Sequence, residues 1–520
     1  MPILLRHTGD IPESGWDDWF AVAACVSGLP GGKQTAGALA QAYDAILPEW
    51  WRLAAVLGQE PSAILSHACT AGGNVSDLGL MLAWSRLVGC WAGGSDSILC
   101  LCDDPWMFRH LSALPGVQAG KPPPLAGPEF RLKVRGWLAR VRVAVRMMWS
   151  AWRGRRASRA VPRGIRTMLV YGHPASRPDG FDAYFGDLAS TIPGLGRILH
   201  VDCPPVRAAK LGVALHGWGS VAAALTLVFR RWRPRVSGSL SWLVRRAAAL
   251  EGATGTPAMI AWQIHCQQRF LAAVRPALVA WPWENHAWER ALVRAARIVG
   301  TATLGYQHAT IGTLETNYAV HSLPDGPAAL PDCIACAGPA GRDRLLAWGI
   351  PAERLWLGGA WRFPTISPLP WNADGPVFLP LPAQAEVARQ MLAAARMAVE
   401  QGWRFLVREH PLAPVGFRPA PGLGLSPGPL AQAGPLHAVV FAGSSVGLEA
   451  VLSGLPVIRF LPMGVLANDV LPQGTEMPVA TITDLSNRLA EVSGPSAAMA
   501  STVFAPIDVD AWRRHIGGTP

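Results

Sequence analysis

Residues able to bind an anion or carry a proton concentrate at a few strand-to-helix turns of this 520-residue chain. The clearest is Gly443-Ser444-Ser445, between the apolar run 438–441 and an apolar helical run over 446–452. Glycine lets the backbone approach a ligand, and serines capping a helix leave hydroxyls and open N–H groups for a mono- or diphosphate. Glu449, one helical turn on, is placed to accept hydrogen bonds from ribose hydroxyls. Arg408-Glu409-His410-Pro411 follows the strand expected over 403–407. Pro411 fixes the turn, His410 is able to donate to a phosphate oxygen, and Arg408 adds charge. Singly, a capped helix and a His-Pro pair are common structural features. Together, past two strand ends of one sheet, they read as a nucleotide-binding site.

A second group stands earlier in the chain. Trp283-Glu284-Asn285-His286 follows a strand expected over 277–281 and opens a helix carrying Glu289 and Arg290, while Gly305-Tyr306-Gln307-His308 ends the next strand. Glu284, Glu289 and His308 are candidates to face the nucleotide across a cleft, where a carboxylate or imidazole of tunable pKa would deprotonate a hydroxyl. Glu284 ranks first. His308 is its rival and has binding of either substrate as an alternative role; for Glu289, beside Arg290, a structural ion pair is an equal reading.

These turns need strands and helices in regular alternation. Strands are expected at 167–171, 196–201, 277–281 and 301–306, then at 333–337, 355–357, 377–380, 403–407 and 438–441, with helices between them, notably 288–299 and 385–401. The fold class is therefore α/β, with two Rossmann-like lobes facing a cleft and ligands collecting beyond the strand carboxyl ends. The domains expected are an accessory α/β unit over 1–125, a basic amphipathic helical segment over 126–164, a first lobe over 165–330 with a helical insertion at about 206–250, and a second, nucleotide-binding lobe over 331–520.

Half of the residues are hydrophobic and 16% charged, which excludes a disordered chain. The net charge of +11 comes mainly from arginine runs at 131–166 and 230–246 interleaved with tryptophan. On the first run Val134, Leu138, Val141, Val145, Met148 and Trp152 recur at helical spacing, with Arg135, Arg142, Arg146 and Arg153 in a stripe beside them. Such a helix either lies in an anionic membrane surface or docks on its own protein, and the second run tilts the reading to the membrane. Nucleic acid is not expected, since no binding module accompanies the charge. The nine cysteines follow no disulfide framework, Cys333-Ile-Ala-Cys336 reads as a buried strand, and reduced thiols are expected. No secretory signal is visible, and the apolar stretch 211–229 reads as a buried or interfacial helix. The expected location is cytoplasmic, peripheral on the inner face of the cytoplasmic membrane.

The series Tyr184-Phe-Gly-Asp187, Trp283-Glu284-Asn285, Gly305-Tyr-Gln-His308, Leu330-Pro-Asp332, Gly358-Gly-Ala-Trp-Arg362, His410-Pro411 and Ser444-Ser445 resembles a bacterial family of surface carbohydrate (O-antigen) biosynthesis proteins, over roughly 165–465. The His-Pro and Ser-Ser pairs are also similar to motifs of bacterial sialyl-, polysialyl- and Kdo-transferases. The acidic motif of polysialyltransferases has at most the fragment Asp179-Gly180 here. The resemblance implies a GT-B-like glycosyltransferase in which His410, Ser444 and Ser445 hold the donor nucleotide. It further implies transfer of a CMP-activated ulosonic acid, Kdo or a sialic-type sugar, to a lipid-linked glycan acceptor. With no Asp-x-Asp motif evident, no metal and no cofactor beyond the nucleotide-sugar donor is expected. The alternatives are a nucleotide-sugar 2-epimerase of the same fold and a non-catalytic membrane-associated assembly factor.

Overall fold

The computed structural model describes residues 3–24, 32–33, 35–94, 97–362, 367–411, 413–472, 475–495 and 503–517. They form three parallel sheets. The first contains β1 (Ile3–Arg6), β2 (Asp18–Ala21), β3 (Ile98–Leu101) and β4 (Val117–Ala119), in the order β2-β3-β1-β4. The second runs through β5 (Arg166–Val170), β6 (Leu195–Leu199), β7 (Val213–Ala214), β8 (Leu278–Pro282), β9 (Ala302–Gln307), β10 (Cys333–Cys336) and β11 (Leu355–Leu357). The third is β12 (Val377–Pro380), β13 (Phe405–Arg408), β14 (Leu423–Leu425), β15 (Ala438–Phe441), β16 (Val457–Phe460) and β17 (Val479–Ala480).

The two larger sheets share one winding rule. Their orders, β11-β10-β9-β8-β5-β6-β7 and β14-β13-β12-β15-β16-β17, start in the middle and grow outward in both directions. Each therefore has a switch point, between β5 and β8 and between β12 and β15, where consecutive loops part and leave a crevice. β8, β12 and β15 are buried along their whole length, as expected of parallel strands covered on both faces. The chain is thus α/β with two Rossmann-like lobes facing a cleft, the GT-B arrangement.

Two boundaries differ from those read in the sequence. β10 and β11 extend the first lobe, with Cys333–Cys336 in register beside Leu304–Gln307, so that lobe continues past 330 to Leu357. The chain's end also returns to it. Trp512, on the helix Val509–Gly517, is buried in the first lobe's core and donates its indole N–H to the Gly358 carbonyl at 2.7 Å. The N-terminal segment has its own sheet, β1–β4, and packs on the first lobe, where Trp50 and Trp84 share one continuous core with Trp281 and Leu292.

The apolar stretch 211–229 is no single helix. It breaks into β7, a 3-10 turn Leu215–Trp218, a short helix Val221–Thr226 and a second turn Leu227–Phe229. Gly217 and Gly219 lie in the broken stretch where the backbone packs closely: a Cβ on Gly217 would lie 2.5 Å from the Gly154 carbonyl oxygen, and one on Gly219 would lie 2.3 Å from the Trp262 ring. Among the described residues no helix is long and apolar enough to cross a membrane. The basic segment is one helix, Ala126–Arg159; of its predicted apolar stripe Val134, Leu138, Val145 and Trp152 face outward, while Val141 and Met148 are half-buried.

Candidate active site

Between the lobes lies a cavity of about 620 Å³ bounded by the loops of both switch points. His173, Pro174 and Ala175 follow β5, Glu284 follows β8, Leu381 follows β12, and Gly443-Ser444-Ser445 follow β15; all line it. Arg408, the last residue of β13, and His410 and Pro411 of the loop after it join them, and Glu449 faces in from the helix Ser445–Leu452. One cavity thus gathers every sequence-predicted site residue except Glu289.

On the second lobe's wall, Gly443 has φ +63°, and its neighbour Ser444 caps the helix by accepting from Val446 N at 3.3 Å. Gly447 keeps that helix tight on β15: a Cβ there would meet the Phe441 ring at 2.3 Å. The helix N-terminus therefore opens into the cavity with its first N–H groups and positive dipole end, the arrangement that favours phosphate. Burial raises the pKa of Glu449, and the nearby positive charge of Arg408 draws it back. Burial lowers that of His410. Glu409 also lines the cavity; one of its oxygens accepts from the N–H groups of Val415, Gly416 and Phe417, at 2.8, 2.8 and 3.0 Å, and so ties down the loop that carries His410.

The opposite wall is built around Glu284. Its carboxylate lies 3.0 Å from His286 Nε2 and 3.9 Å from His308 Nε2, and 37% of its side chain stays open to the cleft. Burial alone would raise the Glu284 pKa, yet the His286 hydrogen bond, aided by the charges of His286, His308 and Arg362, holds it down at about 2. For His286, burial opposes protonation, and the bond and charge of Glu284 overcome it to raise the pKa. His308 falls to about 4: burial dominates, Arg362 adds to it, and Glu284 only partly compensates. At neutral pH the site therefore presents an ionised Glu284 beside a neutral His308 imidazole.

Glu289 does not face the cavity. Its Oε2 accepts from Trp281 Nε1, Glu284 N and Asn285 N at 2.9, 3.0 and 2.9 Å, while Oε1 meets no donor among the described residues. Burial, with Glu284 nearby, raises its pKa to about 7. It is a buried clamp on the turn that presents Glu284, where Asn285 takes a left-handed φ of +57°. Nor is it paired with Arg290, whose guanidinium binds the carbonyls of Asn285 and Asn317 at 3.0 Å each. Asp179 lies outside the cavity lining and pairs with Arg177 at 2.9 Å.

Among the cavity residues that the sequence does not single out as site residues are Asn74, Glu315, Asn317, Arg362 and Asn468. Asn74 comes from the N-terminal unit, which packs so closely that a Cβ on Gly73 would lie 2.1 Å from the Tyr43 hydroxyl and 2.8 Å from the Leu314 carbonyl. Glu315 and Asn468 latch the lobes together. Asn468 Oδ1 accepts from Leu314 N at 3.0 Å and its Nδ2 donates to Glu315 at 3.3 Å, while Thr313 N donates to the Asp469 carbonyl at 3.0 Å. Burial raises the pKa of Glu315 to about 7. The signal available for Arg362 was its place in Gly358-Gly-Ala-Trp-Arg362.

No protein-family model and no curated protein matches the chain. Among solved structures, UDP-N-acetylglucosamine 2-epimerase from Rickettsia bellii is 11% identical, covers 69% of this chain and 100% of its own, and superposes with a TM-score of 0.39. The S. aureus MnaA–UDP co-structure is 12% identical over 68% of this chain and 96% of its own, with a TM-score of 0.38. Arabidopsis thaliana UGT89C1 complexed with UDP-L-rhamnose is 12% identical over 63% and 90%, also at 0.38. Likenesses at this level carry nothing about activity to this chain, and its two-lobed architecture stands on its own strand order and registers.

Proposed function

We propose that this chain is a glycosyltransferase that moves a sugar from a nucleotide donor to a hydroxyl of a lipid-linked glycan at the face of a membrane. The single observation that carries the reading is the pairing across one 620 Å³ cavity of a helix N-terminus suited to phosphate with a carboxylate–imidazole pair suited to a hydroxyl. The nucleotide phosphate sits at Ser444 and Ser445, with His410 and Arg408 adding positive charge where negative charge develops. The acceptor oxygen forms the new bond to the anomeric carbon, and the anomeric carbon–oxygen bond to phosphate breaks. Its electron pair departs with the nucleotide, and the acceptor proton passes to His308.

His308 takes the proton in preference to Glu284 because a carboxylate held at about 2 is the weaker base, whereas a neutral imidazole gains from the carboxylate beside it once protonated. Glu284 is then the group that stabilises the imidazolium. The donor proposed from the Ser-Ser and His-Pro resemblance is a CMP-activated ulosonic acid. A mass-spectrometric screen of nucleotide-sugar donors on membranes bearing the native glycolipid tests the reading, with His308→Asn and Glu284→Gln beside the native protein. Transfer from a CMP-sugar, reduced in both variants, is the expected result. Turnover of a nucleotide-sugar without any acceptor would make the chain an epimerase instead.

A further inference from the structure

The helix Ala126–Arg159 turns its smallest side chains inward. Gly136, Ala144, Ala151, Gly154 and Ser158 are buried. A Cβ on Gly136 would lie 1.9 Å from the Gly252 carbonyl oxygen, and one on Gly154 would lie 2.8 Å from Gly217 N. Such close backbone approach fixes the helix rotation and leaves the opposite, bulky face outward. Phe130, Trp137, Val145, Trp149 and Trp152 are exposed there, Trp152 to 68%. Beside this helix, Val221–Thr226 and the turn after it expose Val221, Leu225 and Phe229 at steps of four, Phe229 to 72%.

One flank of the ridge is cationic. At about 100° per residue Arg131, Arg135, Arg142, Arg146 and Arg153 share it, and all five are exposed. The helix has a single acid, Glu129, and Lys133 pairs with it at 2.8 Å. The Arg153 guanidinium stacks 4.7 Å over the Trp149 ring. A groove of about 650 Å³ runs between the helix's first turns and residues 253–255, its apolar side formed by Phe130, Val134 and Leu138 and its charge by Arg131, Arg135 and Arg142. The other arginine run differs. Trp232 is buried and Arg246 is an internal tie to Asp77 and Asp104 at 2.8 and 2.5 Å, while Arg230, Arg233, Arg235 and Arg245 are exposed.

We propose that this ridge docks on an anionic lipid bilayer, its indoles at headgroup level and Arg131, Arg135 and Arg142 holding lipid phosphates in the groove. The charge favours a bilayer over a second copy of the chain, because two such flanks brought together would repel. The proposal rests on the membrane half of the function given above and is independent of the catalytic half.

Co-sedimentation of the full chain with phosphatidylcholine vesicles, with and without phosphatidylglycerol, tests it. Binding to the anionic vesicles alone, weakening as salt rises, is expected. The triple variant Arg131→Glu, Arg135→Glu, Arg142→Glu lowers the partition coefficient by at least about a hundredfold, and Trp149→Ser with Trp152→Ser also weakens it. Both variants keep the native unfolding midpoint and nucleotide affinity, which separates failure of docking from failure of the site. Equal binding to both vesicles, undiminished binding by the triple variant, or a ridge-dependent dimer with no vesicle binding would each overturn the proposal.

Discussion

Replacing Glu284 by Gln removes the charge around which both histidines of the cleft are tuned. At 3.0 Å and 3.9 Å from the two imidazoles, a unit charge at an effective dielectric near 20 would contribute roughly 4–6 kcal/mol. More than a third of the side chain is open to the cleft, so solvent screening reduces this to about 1–2 kcal/mol per imidazole, or about one pH unit. His286, which titrates above the ordinary histidine value because of Glu284, should therefore fall below it in Glu284→Gln, and His308 should drop from about 4. Carbon-13 histidine labelling, with resonances assigned from His286→Gln and His308→Gln, reads both titrations without any substrate. A His286 resonance unmoved in Glu284→Gln would refute the pairing and, with it, the assignment of Glu284 as the carboxylate that supports His308.

In a transfer assay kcat/KM should hold from neutral pH down to an acid limb near pH 4, where His308 takes up its proton; a limb near pH 2 would return the base role to Glu284. His308→Asn should cost about a hundredfold or more in kcat and leave nucleotide affinity intact, checked by calorimetry. Glu289 has a folded pKa near 7 against an ordinary value of 4.5, so the folded state holds its proton while the unfolded state has released it. Stability is thus full below pH 4.5 and declines as pH rises towards 7, by about 3 kcal/mol. Urea unfolding across pH 4–8 should show that slope flattened in Glu289→Gln. Gly73→Ala forces a methyl onto the Tyr43 hydroxyl and the Leu314 carbonyl, and should cost about 1–3 kcal/mol while raising KM through a displaced Asn74, read by thermal unfolding and by kinetics.

What could be read from the sequence was local. A continuous apolar run ending in Gly-Ser-Ser, or in Arg-Glu-His-Pro, marks a strand and the turn at its carboxyl end, and such turns of one parallel sheet face one side. That geometry places Arg408 and Ser444 on one wall of the cavity, and the same rule applied to β8 of the other sheet places Glu284 on the facing wall. The lobe boundary was not readable because β10 and β11 continue the same strand–helix alternation as β12 and β13, and only their registers assign them to the first lobe. Asn74 and Asn468 come from loops whose neighbourhood is made by tertiary packing, so no nearby pattern announces them. On the basic helix the apolar stripe was visible, but the backbone contacts of Gly136 and Gly154 decide which face is buried. Glycines interleaved with Ala and Ser along one face were the signal for that.

The central claim is that the turn after β15 and the loop after β13 hold the nucleotide, and isothermal titration of CMP, CDP and UDP into the native chain, His410→Ala and Ser444→Ala tests it most directly. Saturable binding by the native chain is expected, weakened about tenfold or more in each variant, with Ser444→Ala also losing about 1 kcal/mol of stability through its cap. Absence of nucleotide binding, or affinity unchanged in both variants, would contradict it.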